Sequence, residues 1–136
     1  WNGSDQAGFS SGRPWIALHP NAPEVNAAQA LADPNSVFHY YRALIALRKQ
    51  LPVLVAGRHE LLLPGHEQLY AYLRCLDQQR LLVLCNFGAG ELAVELPPEL
   101  ATCQAERLIG NYPEAQPLAL EGLRLRPYEA LMCWLH

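Results

Sequence analysis

The sequence predicts a mainly β fold, an antiparallel β-sandwich from residue 53 to 136 preceded, over residues 1–52, by a loop region and one long helix. Three observations carry this expectation. Apolar residues recur at helical spacing through DPNSVFHYYRALIALRKQLP. Beyond Pro52 the period shortens from 3.6 to 2. The remaining apolar runs are short, of strand composition, and separated by turn residues. Many short strands at regular intervals are the pattern of a sandwich, not of a helical bundle.

The chain opens WNGSDQAGFSSGRPW, which holds two Trp, a Phe, three Gly and a Pro, and shows no regular period. Residues 1–32 are rich in Gly, Pro, Asn and Ala throughout, so a loop that is ordered by packing against another surface is expected here. In the following stretch Asp33 is a good N-cap and Pro34 a favoured first helical residue, while Pro52 enforces an end near Gln50. At 100° per residue Val37, Tyr40, Tyr41, Leu44, Leu47 and Leu51 fall on one stripe, widened by Phe38 and Ile45, which predicts a helix with one broad buried face. Arg48 lies inside that stripe, either snorkelling toward the free carbonyls of the last turn or meeting a buried partner.

Eight strand-like runs follow: 58–63, 68–75, 80–87, 91–96, 103–109, 118–120, 123–126 and 128–135. Punctuation comes from Pro64-Gly65, Asp77-Gln78-Gln79, Gly88 and Gly90, Pro97-Pro98, the 110–113 segment GNYP, and Gly122. Leu92, Val94 and Leu96 alternate with Glu91, Ala93 and Glu95, as on a strand with one wet face. RLLVLCNF is apolar on both faces and belongs in the middle of a sheet.

A composition of 51% hydrophobic and 17% charged residues is that of an ordinary folded chain. With a formal charge of -3 and scattered Lys and Arg, the surface offers no electrostatic footprint for nucleic acid or an anionic membrane, and no apolar run reaches the length of a membrane span. Cys75, Cys85, Cys103 and Cys133 are far apart and lie in strand-like runs. They read as reduced core thiols, which favours a reducing, cytoplasmic setting.

No constellation of catalytic groups emerges. Glu60, Glu91, Glu95, Glu99, Glu106, Glu121 and Glu129 sit at strand edges, turns or outer positions and read as solvated charges. His59-Glu60 lacks the second His of a zinc-binding helix, and His19, His39, His66 and His136 have no partner at ligand spacing, so neither a metal nor a cofactor is expected. No phosphate-binding or nucleophile-elbow glycine pattern occurs. Tyr70 and Tyr72 share one face of a strand; that pair could stack on a sugar, but cross-strand packing is the commoner use of such a pair.

The residues WNGSDQAGFSSGRPW, NAPEVNAAQALADPNSVFHYYRALIALRKQ, ELLLP, LLVLCNF, IGNY and LRPYEA resemble the last part of bacterial exo-acting α-glucosidases of the α-amylase family, of the oligo-1,6-glucosidase and trehalose-6-phosphate hydrolase type. The resemblance implies a longer parent with a (β/α)₈ barrel, in which residues 1–32 would be the loop over the barrel mouth, residues 34–50 the last barrel helix, and the rest the C-terminal sandwich. It also implies retaining hydrolysis of short α-glucosides by an Asp nucleophile, a Glu acid/base and a second Asp, none of which matches a carboxylate of this chain. The catalytic residues within the chain are thus none. By the resemblance Trp1, Asn2, Gly8 and Phe9 would border the substrate, with Asn2 standing where many members have Asp. The implied partners are the upstream catalytic barrel and, through it, an oligosaccharide, with self-association through an uncovered helix face as the expectation for the piece alone. An autonomous carbohydrate-binding or interaction sandwich is the alternative reading.

Overall fold

Polar side chains, more than apolar period, decide where the first helices begin. The computed structural model describes residues 1–113 and 118–136 and divides the chain into two compact units, Trp1–Leu47 and Arg48–His136. In the first, a short turn of 3-10 type at Asp5–Gly8 is followed by helix α1, Ala27–Ala32. Asn26 caps α1, its Oδ1 accepting from the Gln29 amide at 3.0 Å, and this helix was not expected from the sequence.

The long helix α2 runs Val37–Gln50, three residues later than the Pro34 start predicted. Asp33 serves a different purpose from the expected cap: its Oδ1 accepts from the Asn35 amide at 2.9 Å, closing a local turn, and the Ser36 hydroxyl donates to the Ala30 carbonyl at 2.5 Å. Short polar side chains that bond nearby backbone compete with helix in this way. A second correction concerns the face of α2. None of its residues is buried, and Val37 (78%), Tyr41 (63%) and Ile45 (48%) are exposed, as is Arg48. An amphipathic stripe states a demand for a partner surface and does not supply one.

The second unit is built on antiparallel sheet. Immediately after Pro52 the chain makes one more helical turn, α3, Val53–Ala56, where strand period had been expected from residue 53. Gly57 ends it, and a Cβ there would stand 2.4 Å from the Val53 carbonyl oxygen. The Arg74 guanidinium donates to the Val53, Leu54 and Val55 carbonyls at 3.3 to 3.4 Å, satisfying groups that the helix end leaves open. Strands β1 (Arg58–Leu62), β2 (Leu69–Leu76), β3 (Gln79–Asn86), β4 (Leu92–Ala93), β5 (Ala105–Gly110), β6 (Arg124–Leu125) and β7 (Ala130–Leu135) follow, with helix α4, Pro98–Ala101, between β4 and β5.

The main sheet has the order β1-β2-β3-β7-β5, so RLLVLCNF lies at its centre, as its two apolar faces predicted. Register places Leu73 opposite Leu82 and Ala71 opposite Leu84, with Cys133 and Leu131 continuing the row. These side chains face a second layer in which β4 pairs with β6. Val94, Leu96, Leu100, Leu120 and Leu125 complete one core with them. On the other face of the sheet α3 packs on β2 and β3, with Val53 and Leu81 fully buried.

Three strand predictions shrink, and of these run 123–126 keeps only Arg124–Leu125. Run 91–96 keeps ladder pairing only at Leu92–Ala93, beyond which Val94 still donates to the Leu123 carbonyl at 2.9 Å before Pro97 and Pro98 remove two amide donors. Run 118–120 survives as the single bridge Leu118 to Ala105. Pro97-Pro98, read as punctuation, opens α4, with Pro98 at its first position, where a missing amide costs nothing.

Candidate functional site

Trp1, Asn2, Gly8 and Phe9 fall within one turn of the first unit. The Asn2 amide donates to the Ala7 carbonyl at 3.1 Å, and the Ala7 amide donates to the Ser4 carbonyl at 2.9 Å. Asn2 Oδ1 accepts twice, from the Ser4 amide at 3.0 Å and from the Ser4 hydroxyl at 2.6 Å. Gln6 (φ 56°), Ala7 (φ 53°) and Gly8 (φ 74°) are all left-handed, and two of them carry a Cβ that disfavours this conformation. Ala7 is nevertheless buried, at 2% exposure, so only a small side chain fits.

This closed turn brings the two rings together: Trp1 and Phe9 stack with centroids 6.3 Å apart and planes 26° apart, both exposed. The Trp1 carbonyl accepts from the Ala28 amide at 3.1 Å, which ties the ring's backbone to α1. All four anticipated residues are therefore brought together, with Ser4 and Ala7 as members that sequence reasoning missed. Gly8 was the one signal available, since a glycine is the usual occupant of such a backbone position. In the same unit an open groove of about 320 Å³ is lined by Val25, Asn26, Ala30, Val37 and Phe38, largely apolar.

In the second unit the polar residues have structural tasks. Glu129, read from the sequence as a solvated charge, is 4% exposed. Its Oε2 accepts from the Arg126 amide (2.8 Å) and Nε (3.1 Å) and its Oε1 from Arg126 Nη2 (2.7 Å), with Arg107 Nη2 4.0 Å from Oε1. Burial alone would raise its carboxyl, but these bonds and the two guanidinium charges hold it below the usual value. The outer position assigned to it failed because Glu129 precedes β7 and folds back over the Arg126 turn. Arg126 also lies over the Tyr112 ring at 4.1 Å, and Tyr112 donates to the Pro127 carbonyl at 2.9 Å. Buried Asn86 joins the same region, donating to the Gly90 and Arg126 carbonyls at 2.9 Å.

The other carboxylates fit the sequence reading: Glu91, Glu95, Glu99, Glu106 and Glu121 are exposed, and Glu60 pairs with Arg58 at 2.8 Å. Tyr70 and Tyr72 pack on each other with centroids 5.4 Å apart, and His59 lies 4.9 Å from Tyr72. The thiols are free; only Cys133 is buried, whereas Cys75, Cys85 and Cys103 are partly exposed. Among the described residues no three His, Cys, Asp or Glu side chains assemble into a metal-binding group, and no helix is long and apolar enough to cross a membrane.

Comparison with known proteins accounts for the two parts of the chain. Residues 1–57 match the alpha amylase catalytic domain and residues 59–132 the maltogenic amylase C-terminal domain. The chain is 43% identical to an oligo-1,6-glucosidase of Parageobacillus thermoglucosidasius over 130 residues, covering 96% of this chain and 23% of that protein. It is 40% identical to the trehalose-6-phosphate hydrolase of Escherichia coli, covering 99% of this chain and 24% of the relative. Among solved structures, trehalose-6-phosphate hydrolase of Bacillus licheniformis superposes with a TM-score of 0.90 at 36% identity over 99% of this chain and 24% of its own. The trehalulose synthase MutB of Pseudomonas mesoacidophila MX-45 superposes with a TM-score of 0.89 at 36% identity, over 100% of this chain and 24% of its own. The chain thus spans about a quarter of the length of the relatives it matches. Over residues 59–132 it belongs to the family of maltogenic amylase C-terminal domains, and the stretch before that domain matches the alpha amylase catalytic domain.

Proposed function

We propose that this chain is the C-terminal segment of a retaining α-glucosidase that hydrolyses short α-glucosides, α-1,6- or α-1,4-linked oligosaccharides or trehalose 6-phosphate. The observation that carries the proposal is the pair of adjoining matches, to a catalytic domain over residues 1–57 and to a C-terminal domain over residues 59–132. On this reading residues 1–52 are a remnant of the catalytic barrel, α2 is its last helix, and residues 53–136 are a C-terminal sandwich that stabilises it. The exposed apolar side chains of Trp15, Val37 and Tyr41 support a missing partner surface. Trp1, Asn2, Gly8 and Phe9 border the sugar, and the catalytic Asp, Glu and second Asp belong to the barrel portion. The segment alone is inactive, works in the cytoplasm as part of its parent, and self-associates through the α2 face when isolated.

The test is turnover of p-nitrophenyl α-glucoside, isomaltose and trehalose 6-phosphate by the 136-residue chain and by the whole protein that contains it. Activity in the whole protein and none in the chain is the expected result. Turnover by the chain alone would overturn the assignment of a structural role.

A further inference from the structure

The side-chain oxygen of Asn2 is engaged inside its own turn. Its Oδ1 takes both donors of Ser4, at 3.0 and 2.6 Å, and the backbone amide of Asn2 donates to the Ala7 carbonyl at 3.1 Å. Its carboxamide also lies against Gly8, where a Cβ would come within 3.0 Å of Oδ1. The backbone on both sides of the two rings is thereby fixed. Trp1 is held by Ala28 on one side and by the Asn2 bonds on the other, and Phe9, next to Gly8, donates its amide to the Gln6 carbonyl at 3.1 Å. The left-handed run Gln6-Ala7-Gly8 persists only because these bonds over-determine it.

We propose that Asn2 is a positioning residue: its carboxamide oxygen clamps the turn that stacks Trp1 on Phe9, and the stacked pair is an apolar wall against which a sugar of the substrate rests. This rests on the glycosidase reading. An aromatic plate suits the C–H face of a sugar ring, and its value depends on both rings being held in one orientation before substrate arrives. The clamp requires an acceptor at Oδ1 and nothing else from the side chain. Asp therefore supports it, and Leu, similar in size, does not.

The experiment compares Asn2→Asp, Asn2→Leu and Ser4→Ala in the whole protein. It reads kcat and KM for p-nitrophenyl α-glucoside and for a disaccharide, together with the near-ultraviolet circular dichroism of the aromatic rings. Asn2→Leu is expected to raise KM for the disaccharide by about tenfold with kcat within about twofold, and to weaken the aromatic signal. Asn2→Asp restores both, and Ser4→Ala, which removes one of the two donors, gives a smaller shift of the same kind. Equal losses in Asn2→Asp and Asn2→Leu, or an unchanged KM in both Asn2→Leu and Ser4→Ala, overturn the proposal. If the unsubstituted protein hydrolyses no α-glucoside, the glycosidase reading and the sugar contact fall together. The clamp then stands or falls on the aromatic signal alone: lost in Asn2→Leu and kept in Asn2→Asp upholds it, kept in both overturns it.

Discussion

Glu129 grips Arg126 with both carboxylate oxygens, Oε1 on Nη2 at 2.7 Å and Oε2 on Nε at 3.1 Å, while Oε2 also accepts the Arg126 amide. A bidentate, charge-assisted clasp of this kind fixes a turn more firmly than a neutral bond would. It locks the corner from which β7 enters the sheet, and the buried Asn86 amide reaches the same corner through the Arg126 carbonyl.

Replacing Glu129 by Gln leaves the shape but turns one of the two accepting oxygens into an amide donor and removes the negative charge that faces the guanidinium. The loss expected for a buried pair is reduced here because Arg126 is a third exposed, giving about 2 kcal/mol of destabilisation. Urea unfolding of the 136-residue chain measures it, and a change below about 0.5 kcal/mol contradicts the assigned role. The effect depends on pH. The folded carboxyl titrates below its ordinary 4.5, so its stabilisation is complete above that value and is lost as the pH falls through the depressed one. The difference between Glu129 and Gln should therefore be largest near neutrality and vanish in acid.

Leu84 lies in the central strand, opposite Ala71 and Leu131, and is fully buried. Leu84→Ala removes three carbons from a packed layer and should cost about 3 kcal/mol. Leu92→Ala in the two-residue β4, where the side chain is only partly covered, should cost less than half as much. Denaturant midpoints of the two variants give the comparison, and the reverse order would contradict the placement of the core.

Thiol chemistry separates the four cysteines. Burial pushes the Cys133 thiol up to about 12, only partly opposed by the nearby Arg107 charge. At pH 8 its thiolate fraction is on the order of one in ten thousand. Iodoacetamide labelling followed by mass spectrometry should modify Cys75 and Cys103 first, then Cys85, whose thiol is also raised by burial, and Cys133 only on unfolding. Early labelling of Cys133 in the folded chain would contradict this order.

The open face of α2 makes a statement about association. Val37, Tyr41 and Ile45 are exposed together, and covering side chains of this size is worth about 1.5 to 3 kcal/mol each. The isolated chain should sediment with a concentration-dependent average mass, and Val37→Asp with Tyr41→Asp should return it to a monomer. A monomer at every concentration, without the substitutions, contradicts self-association.

How far the sequence could be read depended on whether a pattern answers to local or to distant partners. Period-2 alternation located β1, β2, β3, β5 and β7 because backbone pleating alone puts alternate residues on opposite faces. The doubly apolar run at Leu81–Cys85 was legible as a central strand because apolar residues on both faces call for cover on both sides. In the candidate site Gly8 was legible through its backbone freedom, whereas the Ser4 and Ala7 contributions arise from bonds across the turn that no spacing rule encodes.

The errors follow one logic. Asp33, a good cap by type, turned to the Asn35 amide, and α2 began at Val37 instead. Glu129, a charge at a strand entrance, became buried because Arg126 and Arg107 converge on it from the β6–β7 turn and from β5. By itself the sequence determined the mainly β character, the long helix and the central strand, because these follow from periodicity and from the backbone geometry of each residue. Only the tertiary structure decided which polar group meets which, since a carboxylate or carboxamide is equally at home in water and is drawn inward only when folding brings its donors within bonding distance.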